Sequence, residues 1–319
     1  MSPLFGKKGS DGATVAILDI ENGSVGGALV RVASQFQPRL FAQTRNVMPT
    51  AQFLSANELE LSVRENTEEV LRHLSEVAAR LRNSDAVSHA GDIQRVAAFL
   101  HVPWARVVVE KDGKVTSLSD PHFLDELRSL AQTAMGNVPV SFHSFGGATA
   151  PLVHSLFNAP DWSLSCNISG EVTEVLLARG SAVVGQGTIP MGTNTLVRTL
   201  KTHGGFTEHE ARSALAIDHP HAREPLGAAK LHFVREFKDV AQTLLEHTPV
   251  DNAFVIAQEP VGDWFARALA HEDLADIFKE GGVVRAVRAQ HLTPHIAEHS
   301  LKPDVPLLLS ALFIDARFS

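Results

Sequence analysis

Two short turns, about half a chain apart, carry the residues best placed for chemistry. Glu21-Asn22-Gly23-Ser24 joins two apolar runs between Val15 and Val32, and Asn-Gly in that setting is a strong hairpin signal. Ser169-Gly170-Glu171 lies in the same way between Leu164–Ile168 and Val172–Leu177. Backbone N–H groups converging in a small glycine-bearing turn bind anions. A hairpin that recurs in this way predicts two lobes on one plan, the turns facing each other across a cleft. Asn22, Gly23 and Ser24 are the candidates in the first turn; the plain alternative is that Asn-Gly only closes the hairpin. Glu171 would repel a phosphate and is expected to point outward.

Other chemistries find less support. The chain has 16 histidines. His203, His209, His219, His221 and His232 lie near one another in sequence, and His291, His295 and His299 follow at helical four-residue steps. Pro294 interrupts that helix, and the two histidines left on one face make a poor zinc site. They read as solvated or core residues. No Gly-x-Ser-x-Gly elbow and no assignable Ser-His-Asp set is present. Cys166, the one cysteine, falls in an apolar strand and reads as a small buried hydrophobe.

The elements that must position these turns follow from hydrophobic period. Pro38–Val47 supplies a third strand. Asn66/Thr67 with Glu69 signals a helix start, and Val70, Leu71, Leu74, Val77, Ala78 and Leu81 share its inner face. Ile93–Val102 is a buried strand, Arg106–Glu110 and Lys114–Ser117 form a hairpin about Asp112-Gly113, and Asp120-Pro121 opens a helix. Val138–Phe142 is a strand and Gly146–Phe157 a helix. Beyond the second turn, Ala182–Ile189 is a strand and Asn194–Leu200 begins a helix. Thr207 with Glu210 makes a capping box, and Phe233–Leu245 is strongly amphipathic. Asn252–Ala257 and Val283–Arg288 are strands, a helix surrounds Trp264–Ala270, and Val305–Phe313 is an apolar helix that should pack on the core.

Bulk properties narrow the class. With 319 residues, 44% hydrophobic and 20% charged, the chain can bury a large core. A net charge of −8 argues against nucleic acid as a partner. No apolar run approaches the roughly 20 residues needed to span a bilayer, and Met1–Gly12 lacks the apolar core of a secretion signal. A single cysteine fits a reducing compartment, so a cytoplasmic protein is expected. Lys7-Lys8 adds only about 1–2 kcal/mol of attraction to an anionic membrane, and residues 1–12 read as a flexible terminus.

Taken in order, these elements resemble the actin-like ATPase superfamily along nearly the whole chain. The first turn of that family, usually Asp-Ile-Gly-Ser/Thr-x-Ser-Val, is matched by Asp19-Ile20-Glu21-Asn22-Gly23-Ser24-Val25. The second is matched by Asn167-Ile168-Ser169-Gly170-Glu171-Val172-Thr173-Glu174. Within the superfamily the chain is most similar to the PilM/FtsA group of pilus-assembly and cell-division proteins, through Gly170-Glu171-Val172-Thr173, Gly187-Thr188-Ile189-Pro190-Met191-Gly192 and the opening Phe5-Gly6-Lys7-Lys8. FtsA normally ends in an amphipathic membrane helix after a linker, which Asp315–Ser319 does not provide. Three departures stand out. Ala257-Gln258-Glu259-Pro260-Val261-Gly262 replaces a Gly-Gly adenosine loop. Glu210-Ala211-Arg212-Ser213-Ala214 lacks the family's adenosine-contacting lysine, and Asn167 replaces a carboxylate that orients the metal's water shell.

The resemblance implies an α/β, actin-like (ribonuclease H-like) two-lobed fold, each lobe a mixed sheet with flanking helices. Residues 13–160 would form the first lobe, with a reduced accessory region around 103–140. Residues 161–319 would form the second, with a helical subdomain around 195–248. It implies ATP and Mg²⁺ as cofactors, held by Asp19, Asn22, Gly23, Ser24, Asn167, Gly170 and Thr173, with Asp19 as the metal residue. The departures limit the expected activity to a weak ATPase at most. The implied role is a scaffold of a membrane-associated complex such as type IV pilus machinery. Its partners would be an inner-membrane protein with a short cytoplasmic tail, and copies of itself. The alternatives are a nucleotide-free pseudo-actin adaptor, an FtsA-like division protein, or a small-molecule kinase. The last needs a carboxylate base for which no motif supplies an obvious aspartate.

Overall fold

A computed structural model describes residues 12–50, 55–84, 88–109, 115–159, 161–246, 248–297 and 303–318. The basic start at Lys7-Lys8, the Asp112-Gly113 turn and His299 lie outside them.

The amino-terminal half runs β1 (Ala13–Ile20), β2 (Ser24–Ala33), β3 (Phe36–Val47), α1 (Ala56–Arg82), β4 (Ile93–Leu100), β5 (Ala105–Val109), β6 (Val115–Ser119), α2 (Pro121–Met135), β7 (Val140–Ser144) and α3 (Phe145–Leu156). The remainder runs β8 (Trp162–Ile168), β9 (Thr173–Arg179), β10 (Ala182–Ile189), α4 (Thr193–Gly204), α5 (Glu208–Ala216), α6 (Pro220–Arg223), α7 (Pro225–Leu245), β11 (Val250–Ile256), α8 (Val261–Leu269), β12 (Phe278–Ala286), α9 (Ala289–Leu292) and α10 (Val305–Phe318). Two five-stranded sheets result, ordered β3-β2-β1-β4-β7 and β10-β9-β8-β11-β12. In each, an antiparallel meander of three strands is extended by two parallel ones. Strand for strand, the second sheet repeats the first.

Strand β1 is apolar on both faces because both are covered, whereas β8 alternates, with Ser163, Ser165 and Asn167 on its other, buried face. In β1, Ala16, Leu18 and Ile20 pack with Val70, Leu71, Leu74 and Ala78 of α1, while Val15 and Ile17 pack with Leu307, Leu308 and Ala311 of α10 and with Phe145 of α3. In the second sheet, Leu164, Cys166 and Ile168 of β8 face Leu196 and Leu200 of α4 and Phe233 and Phe237 of α7. Helix α3 lies between the sheets. Phe145 and Val153 join the first core, and Ala150 meets Leu176 of β9 and Val183 of β10.

Helix α1 begins well before Asn66. Ser55 is its N-cap, and Glu58 closes the capping box with it, satisfying two otherwise orphaned amides. The start expected at Asn66/Thr67 is overridden inside the helix. Thr67 Oγ1 donates to the Val63 carbonyl and Asn66 Nδ2 to that of Ser62, four residues back in each case.

Candidate functional site

The two turns are built alike. In the first, Glu21 N donates to Ser24 O at 3.1 Å; in the second, Ser169 N donates to Val172 O at 3.0 Å. These are two-residue hairpin closures, so both amides are spent within their own turns. The turns then meet tip to tip. A β-carbon on Gly23 would lie 2.6 Å from the Gly170 Cα, and one on Gly170 would lie 2.5 Å from the Gly23 Cα. Only glycine permits so close a backbone approach. Asn22 Oδ1 accepts a 2.9 Å hydrogen bond from Glu171 N, so an amide that could have faced an anion faces an asparagine instead. The cavity left here, lined by Glu21, Gly23, Ser24, Gly170, Asn194, Arg212 and Gln258 among others, measures about 20 Å³. That is room for a water at most, against the several hundred Å³ of a cofactor site.

Register places Asp19 opposite Gly26 of β2 and beside Phe99 of β4, one residue before the end of its strand and fully buried. Both its carboxylate oxygens are engaged. Oδ2 meets Arg45 Nη2 and Oδ1 meets His101 Nε2, each at 2.7 Å. Burial opposes the charge on Asp19, but His101 and Arg45 outweigh it and lower its pKa. His101, its ring stacked on Phe145 at 4.0 Å between centroids, is pushed down by burial and, more strongly, up by Asp19, Glu21 and Glu174, so that its pKa is raised. Glu21 moves the other way: burial raises its pKa, against the opposing pull of Arg45 and His101. It accepts from Ser24 Oγ, from Gln258 Nε2 and from Arg45 Nη1.

The equivalent strand pair in the second lobe holds Asn167 opposite Glu174. Asn167 Nδ2 donates to Glu174 Oε2 at 3.0 Å, and Asn167 Oδ1 finds no partner among the described residues. Burial pushes the Glu174 carboxyl up to about 6, although the Asn167 bond and the His101 charge favour its ionised form. Thr173 turns inward and donates to Met191 O at 2.7 Å.

Further bolts cross between the lobes. Gln258, from the segment after β11, also donates to Ser24 Oγ at 2.9 Å. Arg212 of α5 donates to Thr50 Oγ1 at 2.8 Å, and Glu208 accepts from Thr50 N at 2.9 Å. Glu171 is about one-third exposed and is held by a bidentate pair from Arg198 and a bond from Asn194. Asp19 and Ser24 thus share one polar network, Asn22, Gly23 and Gly170 form the contact between turns, Asn167 lies in the adjoining strand pair, and Thr173 is turned into the protein. Arg45, His101, Asp304 and Glu174 complete the site; Glu174 closes the second-turn motif, and no motif marks the other three. Two signals were there to be read: glycines inside β2 at Gly26-Gly27, where a strand glycine marks a close approach, and Asp304 just ahead of an apolar helix.

These groups do not fit a magnesium nucleotide. The oxygens of Asp19 that would face a metal's water shell are taken by a guanidinium and an imidazole, and the turns that would cradle phosphates touch. Outside the cleft, Glu60, His122 and Glu126 bring ligand atoms within 4.8 Å of one another across α1 and α2, a group that none of the histidine runs in the sequence suggests. Arg64 already lies 3.9 Å from Glu126.

Two sheets of one order, joined through paired turns at an interlobe cleft, define the actin-like fold, and this chain has it. Among solved structures it is similar to PilM in the PilM–PilN type IV pilus biogenesis complex, at 12% identity and a TM-score of 0.59 over 97% of this chain and 99% of that one. It is also similar to the ethanolamine utilization protein EutJ from Carboxydothermus hydrogenoformans, at 14% identity and a TM-score of 0.56 over 100% of this chain and 92% of the other. No family model matches the sequence, and no curated protein is similar to it in sequence. Among the described residues, no helix is long and apolar enough to cross a membrane.

Proposed function

We propose that the protein is an actin-like scaffold of a membrane-associated assembly such as type IV pilus machinery. It would bind the short cytoplasmic tail of an inner-membrane partner and copies of itself at the cytoplasmic face, without turning over a nucleotide. The observation that carries this reading is the end-to-end likeness to a PilM that is itself found in complex with PilN, combined with turns that touch and an Asp19 held by the chain's own side chains. These features favour an adaptor over a kinase of the same fold. A kinase needs a carboxylate free to take a proton, whereas Asp19 is paired on both oxygens. Detergent-solubilised membranes should yield, by crosslinking and affinity purification, a single-pass protein whose synthetic tail binds the purified chain equally well in EDTA and in Mg-ATP. Phosphate transfer from ATP to a sugar or acid, or failure of any such tail to bind, refutes the proposal.

A further inference from the structure

Arg45 sits where three segments converge, and its geometry is that of a bound cation. It projects from β3 across β2 at Gly26, where a β-carbon would lie 2.7 Å from Nη2 and 2.8 Å from Cζ; that glycine keeps the path open. All five guanidinium hydrogens find acceptors. Nε donates to Asp304 Oδ2 at 2.6 Å, and Nη2 to Asp304 Oδ1 at 3.0 Å and Asp19 Oδ2 at 2.7 Å. Nη1 donates to Glu21 Oε1 at 3.1 Å and Ser24 Oγ at 2.8 Å. The carboxylates come from the end of β1, the first turn and the residue before α10. Three converging carboxylates and a hydroxyl are hard oxygen donors of the kind that binds a divalent ion; here one buried guanidinium satisfies them.

We infer that Arg45 is a built-in cation, standing where a divalent metal would bridge Asp19, Glu21 and Asp304, so that cleft closure is a fixed property of this chain and removing the guanidinium uncovers a divalent-cation site. The geometry agrees with this: three carboxylates converge on one guanidinium, and its removal takes away the charge that holds their oxygens together, a role one divalent ion can fill. An ion has a way in, because Arg45 and Asp304 line an open groove of about 360 Å³ together with Gln43, Gln258, Pro303 and Leu307. The inference uses only the cleft and stands whether or not the membrane-partner reading does.

Thermal melting of the wild type and of Arg45→Ala, each in EDTA, in millimolar Ca²⁺ or Mn²⁺ alone and in millimolar Mg-ATP, tests it, because a ligand that binds only the folded state raises the melting temperature. The wild type should melt at one temperature in all four. Arg45→Ala should melt lower in EDTA, recover part of the loss with Ca²⁺ or Mn²⁺, and lose that recovery when Glu21→Gln is added. Arg45→Lys, which keeps the charge, should stay indifferent to the ions. A wild type stabilised by Mg-ATP or by an ion alone overturns the inference, as does a folded Arg45→Ala that ignores both ions. Should Arg45→Ala not fold, the wild type and Arg45→Lys decide by the same criteria.

Discussion

Glu174→Gln gives a test whose sign and size both follow from the site. Glu174 is 4% exposed and its carboxyl titrates at about 6, against an ordinary 4.5. Because the folded pKa lies above the unfolded one, the stability tied to its protonated form is fully present below pH 4.5. It is lost as pH rises through 6. The shift corresponds to about 2 kcal/mol. Glutamine is nearly isosteric, can still accept from Asn167 Nδ2, and brings a donor within reach of the unpartnered Asn167 Oδ1. Urea unfolding of both proteins at intervals from pH 4.5 to 7.5 reads the effect of Glu174 together with its charge coupling to His101, since the titrating groups away from that pair are common to both and cancel in the difference. The variant should gain on the wild type by about 2 kcal/mol across that window. That is a rise in melting temperature of about 2–4 °C per kcal/mol for a 150–250-residue domain, and somewhat less for a longer chain. A flat difference, or a variant that loses ground as pH rises, would show that the buried carboxyl is not held in its neutral form.

Three further outcomes are expected. Gly170→Ala should lower stability by about 1–3 kcal/mol and speed hydrogen exchange at the Glu171 amide, because the new methyl meets Gly23 backbone rather than a yielding side chain; unchanged exchange there would mean that the turns do not touch in solution. Burial, assisted by Arg317, lowers His143 to about 4, so its neutral form stabilises the fold above pH 6.5 and that contribution fades as pH falls toward 4. His143→Phe, placed among Phe99 and Phe313, should therefore lose less stability than the wild type over that acid range, read by melting at pH 4.5 and 7. Ser55→Ala removes the α1 cap and should cost about 1 kcal/mol in urea unfolding; no change would place the working start of α1 further along the chain.

Much of the architecture could be read from local chemistry. Asn22-Gly23 dictates its hairpin, the near-continuous apolar run of β1 marks a strand covered on both faces, and the apolar alternation of β8 fixes which of its residues face which layer. Asp120-Pro121 caps α2 as expected, with the Asp120 side chain accepting from His122 N. The start of α1 was harder, because Ser55/Glu58 and Asn66/Glu69 both have the three-residue spacing of an N-cap and its partner and only tertiary packing selects between them. The site was the least legible part. Arg45 reads as an ordinary polar residue on an edge strand, and its significance depends on Asp304, 259 positions away. Likewise, the Gln258 contact with the first turn spans 237 positions, a distance that no hydrophobic period or turn signal reports.

The packing of α10 has a bearing on how the chain is made. Leu307, Leu308 and Ala311 complete a layer that β1, β2 and Phe145 of α3 begin, so part of that apolar face of the amino-terminal sheet stays uncovered until α10 has been made. At ordinary elongation rates that interval lasts on the order of tens of seconds. Through it the nascent sheet must be shielded by a chaperone or by provisional contacts of its own. Truncated products ending before residue 305 should accumulate as aggregates, even though every strand of both sheets has by then been translated.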